Sequence, residues 1–154
     1  MRDVVRDSSG RPVFAFRHGA AQRQAQRKND DPEHQFQVSV VEYLKFAMPP
    51  DHLWTANAAG VRVSMHVAVK MKAAGVRRGW PDIQILFPSA VTRYIELKAK
   101  QSLSDEQKAF RAACQATGRD IWAMARTLEE VEAALLRWRI PVLCPLAKAN
   151  RYAS

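Results

Sequence analysis

Three ionisable residues stand at short spacings in two apolar segments, and their types could support chemistry. Asp82 follows a proline at the start of one apolar run, and Glu96 and Lys98 stand one residue apart in the next run. Because side chains two residues apart leave the same face of a strand, Glu96 and Lys98 share a face. If the two runs pair as a hairpin, Asp82 lies opposite the far end of the second strand, near both of them.

Two carboxylates and an ammonium group at one place have two interpretations. Neighbouring carboxylates repel unless a cation lies between them, and oxygen ligands suit Mg²⁺ or Mn²⁺ rather than Zn²⁺. Such a metal polarises a phosphate oxygen and lowers the pKa of a bound water, while a lysine beside it orients that water or neutralises developing charge. The alternative is a structural salt bridge on a charged strand face. The spacing alone leaves both interpretations open.

A fourth carboxylate belongs to a segment with helical periodicity. Apolar residues recur at three- and four-residue steps after Pro32, which predicts a helix with a buried stripe of Phe36, Val40, Leu44 and Ala47. At about 100° per residue, Glu33 lies in the direction of this stripe, whereas Glu42 faces water. A carboxylate on a buried stripe is costly unless it is paired or bound to metal, so Glu33 is a site candidate. The alternative is a first-turn glutamate that favours the helix dipole.

Composition narrows the class of protein. The chain has 154 residues, which predicts one domain, and its formal net charge of +9 favours an anionic partner, most simply nucleic acid. Cys114 and Cys144 match no zinc-ligand spacing and are expected to be buried apolar groups in a reducing compartment. No apolar run approaches the length of about 18 residues that a membrane span needs, and the N-terminus lacks a signal-peptide pattern. A cytoplasmic protein without a membrane partner is predicted.

The rest of the pattern predicts an α/β domain between two less regular ends. Residues 1–31 are expected to form a flexible basic arm with a short strand over 12–16, and 140–154 a C-terminal tail. The charges of the arm either contact phosphates or form a solvated tail. Capping boxes begin two helices, at Ser104 and at Thr127. The order of elements is helix, strand, helix, strand, strand, helix, strand, helix, over 32–48, 52–57, 63–74, 82–87, 93–100, 104–117, 120–125 and 127–139. This alternation predicts a mixed central sheet flanked by helices.

Four short motifs together resemble the VRR-NUC family of the PD-(D/E)xK nuclease superfamily. They are Glu33-x-x-x-Gln37, Gly75-Val-Arg-Arg-Gly-Trp-Pro-Asp82, Ile95-Glu-Leu-Lys98 and Leu103-Ser-x-x-Gln107. The Pro-Asp, Glu-x-Lys and Ser-x-x-Gln elements occur in the family's order. The resemblance covers about residues 32–135.

The resemblance implies a fold and an activity. The fold would be the restriction-endonuclease-like core, αβββαβ, within a nuclease domain over 32–139 and with an inserted helix after the first strand. The activity would be Mg²⁺- or Mn²⁺-dependent hydrolysis of phosphodiester bonds by a structure-selective DNA endonuclease. Its substrate would be branched DNA such as four-way junctions or flaps, and the enzyme would act as a homodimer. The alternatives are a catalytically silent DNA-binding module on the same fold and a sequence-specific endonuclease.

The resemblance also implies residue roles at the site. Asp82 and Glu96 would bind the metal together with the backbone carbonyl of Leu97. Glu33 would complete the site directly or through a water, and Lys98 would position the nucleophilic water.

Further roles extend outward from the metal. Gln107 would sit near the metal centre. Arg77 and Arg78 match the family's basic turn and would hold phosphates, unless they are solvent-exposed turn charges. Trp80 could stack on an unpaired base or pack over the site. Contacts to DNA are therefore expected from Arg77, Arg78, Trp80, Arg93 and Lys100.

Overall fold

The computed structural model describes residues 5–14, 32–57, 64–88 and 90–147. Six strands and four helices form in this part of the chain. In chain order they are β1 (Val5–Arg6), β2 (Pro12–Val13), α1 (Pro32–Ala47), β3 (Leu53–Ala56), α2 (Met65–Ala73), β4 (Ile83–Leu86), β5 (Thr92–Leu97), α3 (Asp105–Ala116), β6 (Trp122–Ala125) and α4 (Leu128–Arg137).

A four-stranded mixed sheet forms the centre of the domain. Its strand order is β3-β4-β5-β6, and β1 and β2 pair separately as a small antiparallel sheet. The β3–β4 and β4–β5 pairings are antiparallel, whereas β5 and β6 run parallel and are connected through α3. The predicted α/β class with a mixed sheet flanked by helices is confirmed.

The two faces of the sheet are packed differently. Ile83, Ile85 and Ile95 join a buried apolar cluster that also contains residues of α1 and α4, such as Leu44 and Leu135. On the other face, α3 brings aromatic side chains over the sheet. The Phe110 ring lies 5.0 Å from the ring of Tyr94 and 5.0 Å from that of Trp80, centroid to centroid. The C-terminal end of β5 is therefore covered on both faces, and the polar side chain of Glu96 is enclosed there.

Local capping explains where two of the helices begin. Ser104 and Gln107 form the predicted capping box at the start of α3, with both reciprocal hydrogen bonds present. At α4 the Thr127 side chain accepts from the Glu130 N–H at 3.2 Å, which is half of the predicted box. The other half differs, because the Glu130 carboxylate accepts from the Arg126 N–H at 2.5 Å, one residue before the cap.

Helix α2 forms where the sequence predicts a helix, but it stands apart from the core. Ser64 caps its start, and Gly75, with a φ of +85°, ends it as predicted. None of its residues is buried; Met65 is 83%, Val67 41% and Val69 61% exposed. Its apolar spacing is therefore enough to give the helix but does not place it in the core.

The described parts of the predicted arm over 1–31 and of the predicted tail over 140–154 contact each other. The Phe14 N–H donates to the carbonyl of Pro145 at 3.0 Å, and the Ala147 N–H donates to the carbonyl of Phe14 at 3.1 Å. The Phe14 ring also contacts α1. Residues 15 and 16 of the expected strand lie outside the described residues.

A half-buried carboxylate fixes this junction to the core. Glu132 of α4 accepts hydrogen bonds from the Tyr43 hydroxyl at 2.6 Å and from the Leu146 N–H at 2.6 Å. Burial raises the pKa of Tyr43, and the Glu132 carboxylate raises it further, so the phenol stays a donor. One side chain thus joins α1, α4 and the C-terminal segment.

Two further observations concern the cysteines and the lengths of the helices. Cys114 and Cys144 are both buried and unpaired with each other, in agreement with the sequence analysis. None of the described helices combines the length and the apolarity that a bilayer crossing requires.

Replacing Glu132 by alanine should destabilise the domain. The Tyr43 hydroxyl and the Leu146 N–H would lose their acceptor, and each such loss costs about 1–3 kcal/mol. We expect the free energy of unfolding in urea to fall by about 2–4 kcal/mol. The control is Glu42→Ala, which removes a surface ion pair with Lys45 and should cost less than about 1 kcal/mol. Equal losses for the two variants would contradict the role assigned to Glu132.

Candidate active site

The register of β4 and β5 brings Asp82 to Glu96. Ile83 pairs with Ile95 in this antiparallel ladder, so the residue before Ile83 lies opposite the residue after Ile95. The Leu97 N–H donates to Asp82 Oδ2 at 2.7 Å and fixes the carboxylate against the second strand. The hairpin convergence expected from the sequence is therefore present.

Lys98 lies at the centre of the charged group. It is buried, and its Nζ is 3.3 Å from Glu96 Oε1 and 3.7 Å from Glu33 Oε1. Glu33 reaches it from the first turn of α1, and its side chain is 34% exposed, which places it at the rim of the site. Glu42 points elsewhere and pairs with Lys45 at 2.5 Å. The two glutamates are separated on α1 as the helical spacing predicts.

Glu96 is the most enclosed member, with only 1% of its surface exposed. Gln107 Nε2 donates to Glu96 Oε1. The Oε1 atom of the same amide accepts from the Ser104 N–H at 2.9 Å, which is part of the capping box of α3. The side chain of Gln107 therefore caps a helix and orients a buried carboxylate at the same time.

The electrostatics of the site show a deficit of positive charge. Burial, and then the nearby Asp82 carboxylate, raise the pKa of Glu96 to about 7, and the charge of Lys98 opposes both effects. Burial also raises the pKa of Asp82, against hydrogen bonding from Leu97 and the charge of Lys98. Counted formally, the carboxylates of Asp82, Glu96 and Glu33 and the ammonium group of Lys98 sum to −2 (three negative, one positive). A divalent cation would balance this charge.

The donor set determines how a metal could be held. Among the described residues, no three His, Cys, Asp or Glu side chains are close enough together to form a metal-ligand group. Asp82 and Glu96 lie opposite each other on the paired strands, whereas Glu33 reaches Lys98 from the rim of the site. Oxygen ligands from these two side chains, with a backbone carbonyl and waters, suit Mg²⁺ or Mn²⁺, which keep several waters. The residues therefore fit such an ion, with Leu97 in the chain between Glu96 and Lys98.

The sequence analysis missed Asn57 and gave no role to Gln37, which it named only as part of a motif. Asn57, just after β3, accepts from Gln37 Nε2 at 3.0 Å through its carbonyl, and its Nδ2 donates to the Pro81 carbonyl at 2.6 Å. The Asn57 N–H also donates to the carbonyl of Asp82 at 2.7 Å. These bonds hold the Pro-Asp backbone at the sheet end. Gln37 stands one helical turn after Glu33, which is the signal that could have revealed it.

Gly79 also positions the site, because it lies against the start of α3. Its φ is +77°, and an added Cβ would lie 2.6 Å from Glu106 Cβ and 3.0 Å from the Gln107 N atom. Only glycine lets the Arg77-Arg78 turn approach the capping turn this closely.

Four of the five expected DNA contacts lie on the surface, whereas Arg93 is only partly exposed. Arg77, Arg78 and Lys100 are exposed. Trp80 is 39% exposed, and its ring packs edge-on against Phe110.

The chain matches no protein-family model, no curated protein and no solved structure. The functional interpretation therefore depends on the geometry around Asp82, Glu96 and Lys98.

Without metal, the folded domain should lose stability as pH rises from about 5 to 7. The pKa of Glu96 is raised from 4.5 to about 7, so the folded state binds more protons than the unfolded state in this window. The effect is at most about 3 kcal/mol, at about 1.4 kcal/mol per pKa unit. Urea unfolding in chelator should show it, and Glu96→Gln should remove most of the slope. Glu42→Gln is the control that keeps it; a wild-type stability that rises with pH relative to Glu96→Gln would contradict the assignment.

Gly79→Ala should be much more damaging than Gly75→Ala. Both positions have positive φ, so both variants carry backbone strain of about 1–3 kcal/mol. Only at Gly79 does the new methyl group meet Glu106; at Gly75 nothing lies within 4 Å. Urea unfolding of the two variants therefore isolates the contact with α3. Similar stabilities would show that the turn does not press on this helix.

Proposed function

We propose that the chain is a Mg²⁺- or Mn²⁺-dependent, structure-selective DNA endonuclease built on a restriction-endonuclease-like core. The observation that carries the proposal is the meeting of Asp82 and Glu96 at the end of two paired strands. Lys98 Nζ lies 3.3 Å from Glu96 in the same enclosed place. Two carboxylates and a lysine in this arrangement suit metal-assisted phosphodiester hydrolysis.

The order of elements supports the same proposal. Without the hairpin β1-β2 and the exposed α2, the chain runs α1-β3-β4-β5-α3-β6, which is the αβββαβ order of that core, followed by α4. The motifs that resemble the VRR-NUC family fall on these elements at positions that fit their roles. Pro81 and Asp82 precede β4, Glu96 lies near the end of β5 with Lys98 directly after it, and Gln107 lies in the first turn of α3.

Each residue of the site has a distinct task in the proposed reaction. Asp82, Glu96 and the carbonyl of Leu97 would hold the ion, with Glu33 at the rim acting directly or through a water. When bound, the ion would polarise a phosphate oxygen and lower the pKa of a bound water. Lys98, held by two carboxylates, keeps an ammonium group where it can orient that water and neutralise charge on the phosphate.

Gln107 and Asn57 would not bind the ion themselves; they position the residues that would. Gln107 orients the Glu96 carboxylate, and Asn57 holds the backbone on both sides of the Pro81–Asp82 bond. Preorganised ligands of this kind need no rearrangement when an ion binds.

The surface charge supports a nucleic-acid substrate. The net charge of +9 gives a field that attracts a polyanion, and Arg77, Arg78 and Lys100 present exposed positive groups. Branched DNA and a homodimer, whose two sites would cut two strands, belong to the same proposal.

Cleavage assays would test the proposal directly. Purified protein is incubated with labelled single-stranded, duplex, flap and four-way-junction DNA, with Mg²⁺, with Mn²⁺ or with chelator. We expect metal-dependent cutting, strongest on a branched substrate, and at least a ~100-fold loss in Asp82→Asn and Lys98→Ala, because each removes a ligand or a charge that acts on the phosphate.

Controls separate chemistry from folding. Asp82→Asn keeps the shape and an oxygen that can accept from the Leu97 N–H, so its circular dichroism should match that of the wild type. Lys45→Ala removes a distant surface charge and should cut normally. In wild type, Mn²⁺ should raise the melting temperature at pH 7.5, and Asp82→Asn should abolish this rise. DNA binding without cleavage on any substrate would favour the silent-module alternative.

A further inference from the structure

A second charged site lies at the opposite end of β5. A cavity of about 520 Å³ opens there beside the ends of β5, β6 and α4. Six of its lining residues are charged or aromatic: Arg93, Arg119, Asp120, Arg137, Trp138 and Arg139. Four guanidinium groups and one carboxylate give a formal charge of +3 (four positive, one negative). A cavity of this size is in the range of small-molecule sites.

The Arg93 side chain is held in this cavity by ring contacts and a hydrogen bond that a fully exposed arginine would lack. Its guanidinium lies 5.1 Å from the Phe87 ring centroid and 5.8 Å from that of Trp138. One terminal nitrogen donates to the Asp120 carbonyl at 2.5 Å, but the buried Nε has no hydrogen-bond partner among the described residues. A buried donor without a partner is rare in folded proteins, and it adds to the cost of holding this guanidinium in the wall of the cavity.

The single carboxylate of the cavity is already engaged. Arg137 Nε lies 2.8 Å from Asp120 Oδ2, and a terminal nitrogen of Arg137 donates to Asp120 Oδ1 at 3.2 Å. The side chains of Arg119 and Arg139 form no ion pair within the described part of the chain. Two guanidinium groups at the cavity are therefore available to an external anion.

Arg139 also occupies a backbone position that favours glycine. Its φ is +60°, and it directly follows Trp138, the C-terminal cap of α4. The Arg139 N–H donates to the Leu136 carbonyl at 2.9 Å, and the Ile140 N–H donates to the Leu135 carbonyl at 3.0 Å. Glycine is the usual residue at this position of such a helix end. A strained arginine at the mouth of a basic cavity points to a use for its side chain.

We propose that this arginine cavity binds the phosphate group of a nucleotide. Guanidinium groups match phosphate oxygens in geometry and charge, and the volume has room for a nucleoside beside the phosphate. The source is either a free nucleotide or a phosphate of a nucleic-acid strand. Arg93 and Glu96 are three residues apart on one strand, about 10 Å, so this site is separate from the carboxylates. The inference goes beyond the proposed nuclease and does not depend on it.

Calorimetry in chelator tests the proposal without any metal chemistry. The probes are deoxyadenosine 5′-monophosphate and deoxyadenosine, which differ only in the phosphate. We expect the nucleotide to bind at least ~10-fold more tightly than the nucleoside. The double variant Arg119→Ala/Arg139→Gly should lose at least ~10-fold in nucleotide affinity. Glycine at 139 relieves the backbone strain, so the loss cannot be assigned to unfolding.

Matched control variants distinguish the arginine cavity from the carboxylate site. Lys45→Ala lowers the net charge by one elsewhere and should bind the nucleotide as the wild type does. Asp82→Asn should also bind it normally, so a failure of the nuclease proposal leaves this result unchanged. Equal affinity of wild type and double variant, or equal affinity for nucleotide and nucleoside, would overturn the proposal.

A second experiment distinguishes a phosphate of a free nucleotide from a phosphate of a nucleic-acid strand. Binding of a 20-nucleotide single strand is measured in chelator at several salt concentrations. If the cavity holds a strand phosphate, the double variant should weaken binding and reduce the salt slope by about 1 for each arginine that contacts a phosphate. If the ligand is a free nucleotide, nucleotide binding falls while the salt slope stays the same.

Discussion

The contact between Lys98 and Glu96 is the constraint on which the rest of the site depends. A buried ion pair contributes little to stability, because the desolvation of two charges offsets their attraction. Here the pair is also unbalanced, since Asp82 and Glu33 add negative charge around one ammonium group. The fold holds these groups together at some cost in stability, and such a cost is typical of sites where charge has a chemical use. The β4–β5 register, the first turn of α1 and the capping turn of α3 each supply one partner.

The sequence predicted the parts of this site that follow from local periodicity. Strand alternation places Glu96 and Lys98 on one face, and helical spacing separates Glu33 from Glu42. The capping box at Ser104 could be predicted from the four residues Ser104 to Gln107. Each of these rules acts within one element, so one element's sequence is enough to apply it.

Contacts between elements could not be predicted from the sequence. Asn57 holds Asp82 only because β3 and β4 pair, and Gly79 is required only because its turn meets α3. The apolar spacing of α2 predicted a helix, but its exposure is set by the surrounding structure. Likewise, the arginines of the cavity come from β5, the turn before β6 and the end of α4. Their sequence separation hides a group that tertiary structure assembles.

The two hydrogen bonds of the Gln107 amide limit both the substitutions this position accepts and the local unfolding of the first turn of α3. Its amide must accept at one end and donate at the other, so glutamate, lysine and the shorter asparagine each lose one of the two bonds. Helix nucleation at α3 and orientation of Glu96 are thus a single cooperative event. Transient fraying of this first turn would release the Glu96 carboxylate, and amide exchange at the start of α3 would report the lifetime of the assembled site.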